Sequence, residues 1–293
     1  MKYGCPNSSC SFYKKTLHIR RDGFYFRKND SRVIARYKCT NCSKRFSTAS
    51  FSLAFGQKKR RVNDKLLKLL CSGISMRRAA LILNIHRTTV KRKVIYLAQK
   101  ARLTQEELLK KFTSEKVCHL QFDDLITSEH TKLKPLSVSL AVHKKSRFIL
   151  GAQVSTIPAF GHLAHLSRKK YGFRENEHAL GVRKLLSKIA PFIRKDAIIE
   201  SDEHKTYPRE LRRFFPKMKH KRYKGGRGCV VGQGELKRLH FDPLFDINHT
   251  CAMMRANINR LIRRTWCTTK KKICLQDHLD IYIAFHNRVL IQN

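Results

Sequence analysis

The sequence predicts a multi-domain chain: a small cysteine-bearing ribbon, an all-α helix-turn-helix unit and an α/β core. Three observations carry this. Two close pairs of cysteines flank a hairpin-length insert near the N-terminus. Apolar residues then recur at helical spacing over residues 62–100. Further on, short apolar runs alternate with helical stripes, and two of those runs, VCHLQFDD and AIIESD, end in carboxylates. Apolar runs of this length, bounded by polar residues, read as buried strands.

In the ribbon, Cys5 and Cys10 enclose four residues, and Cys39 and Cys42 enclose two. Between the pairs, FYFRKND and VIARYKC alternate like two strands about a polar turn. Four thiols at this spacing suit one tetrahedral Zn²⁺, the pattern of a zinc ribbon; the alternative is four buried thiols without a ligand. Residues 1–55 carry too little apolar mass to fold by burial, so the metal would supply the folding energy. After the second cysteine pair Lys44, Arg45, Lys58, Lys59, Arg60 and Arg61 form a basic run, suited to phosphates or to a solvated linker.

Residues 60–102 read as three helices. Leu66, Leu67, Leu69 and Leu70 mark the first. Gly73 suits its end and Ser75 the next N-cap. Met76, Ala79, Ala80 and Leu83 stripe the second, and Asn84, Ile85 and His86 make a tight turn. Val90, Val94 and Leu97 stripe the third. A helix-turn-helix lays such a third helix in the DNA major groove. Arg87, Thr88, Thr89, Lys91, Arg92 and Lys93 are expected to face outward, where they can reach phosphates and base edges; the plainer alternative is a packing unit with a solvated basic face. Residues 103–116 read as a charged helical linker.

The core spans residues 117–293. In VCHLQFDD, Val117, His119, Gln121 and Asp123 alternate onto one face, and Cys118, Leu120, Phe122 and Asp124 onto the other. Residues 136–143 and 148–155 flank a KKSR turn, so three antiparallel strands are expected. Residues 156–175 show no clear period; His162 and His165 stand there as possible ligands in a basic loop. Residues 177–192 read as a helix burying Leu180, Leu185, Ile189 and Phe192. The strand ending at Asp202, a helix over residues 207–215 and a strand near residues 220–223 bring the strands to five. KGGRGCVVGQGELKR is Gly-rich and basic, but its spacing matches no P-loop. Ile247, Cys251, Met254, Ile258 and Leu261 stripe a late helix, with Asn248, Ala252, Arg255 and Asn259 beside them and Asp246 as a natural N-cap. RLIRRTWCTTKKK is a dense basic patch. Leu275, Leu279, Tyr282, Ile283 and Phe285 mark a final helix.

Lys and Arg number 63 against 21 Asp and Glu, a formal net charge of +42. That exceeds what solubility needs and implies a polyanionic partner, either nucleic acid or an anionic membrane. No apolar run reaches the ~18 residues of a membrane span, and MKYGCPNSSC has no signal-peptide core. Double-stranded DNA in the cytoplasm, on the nucleoid, is therefore the expected setting, with no membrane partner. In a reducing compartment the clustered members of the ten cysteines read as metal ligands rather than disulfides. A carboxylate at a strand end needs a partner, and Mg²⁺ takes a few carboxylates plus phosphate oxygens. Two such aspartates meeting in space would form a site for phosphoryl transfer. Otherwise Asp123 and Asp202 are unrelated turn and cap residues.

The order of strands, Asp, strand, Asp, then a polar residue on a late helix resembles the RNase H-like core of DDE/D transposases and retroviral-type integrases. The resemblance is closer to small bacterial and archaeal insertion-sequence transposases that carry a zinc ribbon and a helix-turn-helix ahead of that core, and it covers nearly the whole chain. It implies a mixed five-stranded sheet flanked by helices. QFDD resembles the first-acid motif, which puts Asp123 in that role with Asp124 as the alternative. SDEHKTY resembles the second-acid motif at Asp202. RLIRRTWCTTKK resembles the terminal basic motif, with Lys270 at its lysine. The third position falls on Asn248, where many members have Glu; Glu235, Asp242 and Asp246 are the alternatives. The resemblance implies Mg²⁺ or Mn²⁺ at Asp123, Asp202 and Asn248. The expected reactions are cleavage at transposon ends and 3′-hydroxyl attack on target DNA, by a homodimer or higher assembly. Arg263, Arg264 and Lys270 would hold phosphates. The rival expectations are a DNA-binding regulator with an inactive core and a structure-selective nuclease.

Overall fold

The structure is a computed structural model and describes residues 3–224, 242–262 and 264–291. The chain divides into two compact units, one ending at Leu66 and one beginning at Leu67.

In the first unit β1 (Ile19–Arg27), β2 (Arg32–Cys39) and β3 (Arg45–Ser47) form an antiparallel sheet in that order. β1 slips register between Arg21 and Phe24, where Gly23 adopts φ +76°, a conformation open to glycine without steric penalty. The enclosed side chains are Cys5, Cys10, Ile19, Cys39 and Phe46, with Tyr3, Phe12 and Tyr37 packed around them. Cysteine sulfur therefore occupies much of the space that apolar side chains fill in larger domains.

The helical stretch that follows comprises α1 (Asn63–Leu70), α2 (Met76–Ile82) and α3 (Arg87–Leu109). Gly73 turns the chain at φ +74°, and the Ser75 hydroxyl caps α2 by accepting the Arg78 N–H at 3.3 Å. Val90, Val94, Leu97, Ala98 and Ala101 form the buried stripe of α3. Lys93, expected to face outward, is buried at 2% exposure. The helix also runs unbroken through residues 103–109, expected as linker. Tertiary contacts explain this: Leu109 joins the main core, Arg102 bridges Asp277 and Asp280, and the Gln105 amide donates to the carbonyls of Ile149 and Leu150.

The second unit is built on a five-stranded mixed sheet of order β6-β5-β4-β7-β8. It contains β4 (Val117–Ser128), β5 (Pro135–His143), β6 (Ile149–Thr156), β7 (Ile193–Asp202) and β8 (Lys219–Tyr223). β4–β5 and β5–β6 are antiparallel, while β4–β7 and β7–β8 are parallel. α4 (Leu163–Tyr171) and α5 (His178–Ile189) carry the chain from β6 to β7, and α6 (Tyr207–Phe214) from β7 to β8. Leu120, Phe122 and Ile199 of the sheet pack on Val182, Leu185, Leu186, Tyr207 and Leu211 of these helices. Fully burying such side chains stabilises by roughly 1.5–3 kcal/mol each, so this layer needs no ion to hold it. Gly181 permits the close approach of α5, since a Cβ there would overlap Ser155 Oγ.

β6 is the outer strand, and side chains cover its open edge. Gln276 Oε1 accepts the Val154 N–H and Asn287 Oδ1 the Ile149 N–H, both at 2.9 Å. An edge satisfied in this way does not template pairing with another chain. Gln276 belongs to α8 (Lys272–Phe285), and the remaining helix is α7 (Phe245–Asn257). Ile247, Cys251, Met254, Ile258 and Leu261 are all buried, as their stripe predicts.

Several details differ from the sequence reading. α4 forms within the stretch that shows no period. Leu180 is 46% exposed, because the inward face of α5 is Val182, Leu185, Leu186 and Ile189. Val117 turns into the core with Leu120, since the β4–β7 register slips between Val117 and His119. The Gly-rich stretch lies almost wholly outside the described residues. No helix among those described is long and apolar enough to cross a membrane.

Candidate active site and metal centre

β4 and β7 are in register at Phe122 and Ser201. Asp123 and Asp202 each follow that pair by one residue on these neighbouring strands, near enough for the charge of Asp202 to act on Asp123. β7 ends at Asp202 whereas β4 continues to Ser128. Past that point β4 has lost its neighbour on one side, and a cleft of about 350 Å³ opens there. Asp123, Asp124, Asp202, His178, His204 and Tyr207 line it.

Burial pushes the Asp123 carboxyl up to about 7, and the charges of Asp202 and Asp124 add to the shift against one N–H, from Asp124, that lowers it. A carboxyl in this state is primed to gain from a cation. Asp124, on the opposite face, behaves differently. Burial opposes its charge, but a hydrogen bond and the charge of His178 hold it below the usual carboxylate range. Burial, with His178 second, lowers His204 and favours its neutral form. Burial and the aspartates raise the Tyr207 hydroxyl far above its ordinary range, so it stays protonated. Asp202 Oδ1 accepts the His204 N–H at 3.0 Å, which fixes the turn leaving β7.

α7 is docked by Gln121, a wholly buried residue two positions before Asp123. Its Oε1 accepts the Ile247 N–H at 2.9 Å, and its Nε2 donates to the Pro243 carbonyl at 2.7 Å and to Glu200 at 3.0 Å. Glu200 in turn accepts from Lys144 at 2.8 Å. Gln121 thus satisfies one of the free N–H groups at the start of α7. The charge of Asp123 reaches Cys251 and Arg255 on that helix, the stripe that Asn248 begins by helical spacing. Asn248 itself is exposed, donates from Nδ2 to Asp242 Oδ2 at 2.8 Å, and is not among the cleft-lining residues. Asp246 is not the N-cap. It lies inside the first turn and accepts the Lys145 N–H at 3.0 Å, while Asp242 accepts from Leu244, the capping position.

Lys270 is not among the cleft-lining residues. Its ammonium meets His130 Nδ1 at 3.2 Å, because residues 268–270 pair with the chain beyond β4, where Glu129 bridges Thr269. Arg264 is exposed and sits over the Trp266 ring at 5.7 Å. Arg263 and Glu235 lie outside the described residues. Arg87, Thr88, Lys91 and Arg92 are all exposed at the start of α3. His178 and His204 escape sequence reading, since they come from α5 and from the turn after β7, far apart in the chain. His204 lies inside the quoted SDEHKTY, but nothing local distinguishes its ring as a partner of Asp124.

In the first unit the four predicted thiols converge. Cys5 and Cys42 sulfurs lie 3.6 Å apart and Cys10 and Cys39 sulfurs 4.0 Å, with all four within 4.8 Å of one another. A tetrahedron with Zn–S bonds of about 2.3 Å has S–S edges of about 3.8 Å, so the four could hold a zinc ion. Asn41 Nδ2 and the Phe12 N–H both donate to Cys10 Sγ at 3.4 Å. The Lys44 N–H draws the Cys42 thiol down to about 6, whereas burial and then the neighbouring sulfurs push Cys5 up to about 12. A bound dication would favour the thiolate form of such a buried thiol.

No protein-family model matches the chain, and no curated protein matches it.

Proposed function

We propose that the chain is a DNA transposase that binds the ends of its mobile element, cleaves them and joins them to target DNA. The observation that carries this is the placement of Asp123 and Asp202 one residue past the last registered pair of two neighbouring parallel strands, both lining one cleft where β7 stops. The strand order, with an antiparallel β4-β5-β6 meander on one side of β4 and two strands parallel to it on the other, is the arrangement an RNase H-like core requires. It supports that fold assignment. The exposed Arg87, Thr88, Lys91 and Arg92 on the third helix of a helix-turn-helix supply a DNA-reading face, and the net charge of +42 supplies non-specific affinity for phosphates.

In this reading Asp123 and Asp202 hold Mg²⁺ or Mn²⁺, with Asn248 Oδ1 and DNA phosphates completing the set. The chemistry such ions supply is charge neutralisation around an attacking oxygen. Asp123 and Asp202 fix its place from two rigid strands. Gln121 sets the start of α7, and so Asn248, relative to them. Arg264 and Lys270 are phosphate contacts at a distance from the cleft. The ribbon carries Zn²⁺ at Cys5, Cys10, Cys39 and Cys42, and two DNA ends require at least a homodimer.

A second reading, a DNA-binding regulator with an inactive core, draws on a specific observation: Lys270 is held at His130 and Asn248 at Asp242, so neither lines the cleft. One experiment separates the two. Purified protein is incubated with DNA carrying the flanking ends of its own locus, with Mg²⁺ or Mn²⁺. The transposase reading expects nicks at the terminal 3′ position that disappear in Asp123→Asn and Asp202→Asn while end binding persists. Asn248→Ala should also abolish cleavage. Tight end binding with no nick under either metal supports the regulator instead, and cleavage of branched DNA without end preference supports a structure-selective nuclease.

A further inference from the structure

We propose that Asp124, His178 and His204 form a cation site of their own, selective for a transition-metal dication such as Zn²⁺, on the face of β4 opposite Asp123. One ligand atom from each of the three residues lies within 4.8 Å of the other two. They come from three separate elements, β4, the first residue of α5 and the turn after β7, and the His178 and His204 rings lie with centroids 4.5 Å apart, tilted by 55°.

The carboxylate itself carries the second observation. Asp124 has a side chain 9% exposed, and its Oδ2 bonds to His178 Nε2. Its Oδ1 is buried and makes no close hydrogen bond, although the Ser139 and Tyr207 hydroxyls lie near enough to favour the charged carboxylate. A metal bond would give that oxygen a closer partner. His178 is 5% exposed and forms the closed wall of the site. His204 is exposed toward the cleft, which leaves an open side for water. Two bonds would be exchanged for bonds to the cation: the His178–Asp124 hydrogen bond, and the long 3.3 Å donation from the Thr206 N–H to His204 Nδ1.

The donor set decides the metal. Two imidazole nitrogens and one carboxylate suit Zn²⁺, Co²⁺, Ni²⁺ or Fe²⁺, whereas Mg²⁺ prefers oxygen ligands. The site is thereby chemically distinct from the four sulfurs of the ribbon and from the oxygen set of Asp123 and Asp202. An ion here would tie the start of α5 and the turn after Asp202 to β4, one residue from Asp123.

The test uses the full chain with its ribbon filled by one equivalent of Zn²⁺ and then titrated with Co²⁺, with no DNA present, so its outcome is independent of the transposase reading. We expect a further equivalent of Co²⁺ to bind with weak visible d–d bands, without sulfur charge-transfer absorption, and to survive a large excess of Mg²⁺. His178→Gln and the surface variant His204→Gln should each weaken that binding by at least about tenfold, the scale of losses around metal sites, while Asp123→Asn leaves it intact. Absence of the extra equivalent, its displacement by Mg²⁺, its retention in His204→Gln, or its loss in Asp123→Asn overturns the proposal.

Discussion

The ribbon and the sheet hold their functional groups in opposite ways. In the ribbon the candidate ligands are the interior: three of its four cysteines are buried, and only Ile19 and Phe46 join them as fully buried apolar members of that cluster. In the sheet the acids sit at the rim of an apolar layer that includes Phe122, Leu185, Tyr207 and Leu211. The lesson is that a metal would have different work in the two places. In the ribbon it would replace a hydrophobic core, and fold and ligand stand or fall together. In the sheet the fold is complete first, and the acids are held in a state the fold itself makes unfavourable.

The sharpest way to break this contrast is to remove the thiols. Replacing Cys39 and Cys42 together by Ser should unfold the ribbon, because structural zinc contributes on the order of 10 kcal/mol to such segments. Limited proteolysis of the full chain should then cut within residues 1–55 while the sheet stays protected. A ribbon that survives, or a variant that retains zinc, ends the claim that metal is its core.

The next effect is opposite in sign. Asp123 titrates in the fold at about 7, against about 4 when unfolded. Below pH 4 both states hold the proton. As pH rises from 4 to 7 the unfolded chain releases it first, so the stability that Asp123 contributes at low pH is lost. Asp123→Asn should therefore stabilise the protein, with no added divalent cation, by on the order of 2–4 kcal/mol at pH 8 and by nothing at pH 3. Thermal melts at the two pH values check this; equal gains at both would show that Asp123 is not a strained acid.

Gln121→Ala sharpens the sheet side further. It strands the Ile247 N–H and the Pro243 carbonyl, and should destabilise by about 2 kcal/mol, read from urea midpoints, while loosening α7 in hydrogen exchange. A loss spread evenly over the sheet would deny Gln121 a particular hold on that helix. The smallest effect is expected at Ser75, remote from the acids. Ser75→Ala should cost about 1 kcal/mol through the lost cap and leave both the proteolysis pattern and the pH dependence unchanged.

Much of this architecture is written locally. The thiol spacing, the Ser75 cap, the alternation of β4 and the stripe of α7 each depend on residues near one another, and each is legible in the sequence. What escapes is set by distant contacts. The connector after residue 102 is part of α3 because Asp277, Asp280 and Ile149 receive it. Lys93 is buried although its type and neighbours favour the surface. Asp246 is drawn from a capping role by the backbone of Lys145. The Asp124, His178 and His204 cluster joins three segments that no spacing rule connects, and only the fold brings it into view.

The unbroken course of α3 has a mechanical consequence. Its 23 residues make a rod about 34 Å long at 1.5 Å per residue, with basic side chains at one end and the main core at the other. Such a rod fixes a torsional phase as well as a distance. Inserting a single residue near its middle would swing Arg87 and Lys91 about 100° around the axis relative to the cleft, without touching either end. Inserting seven would restore the azimuth nearly unchanged and lengthen the reach by about 10 Å. The helix thus behaves as a gear tooth: anything bound at its tip would be presented to the sheet at one angle.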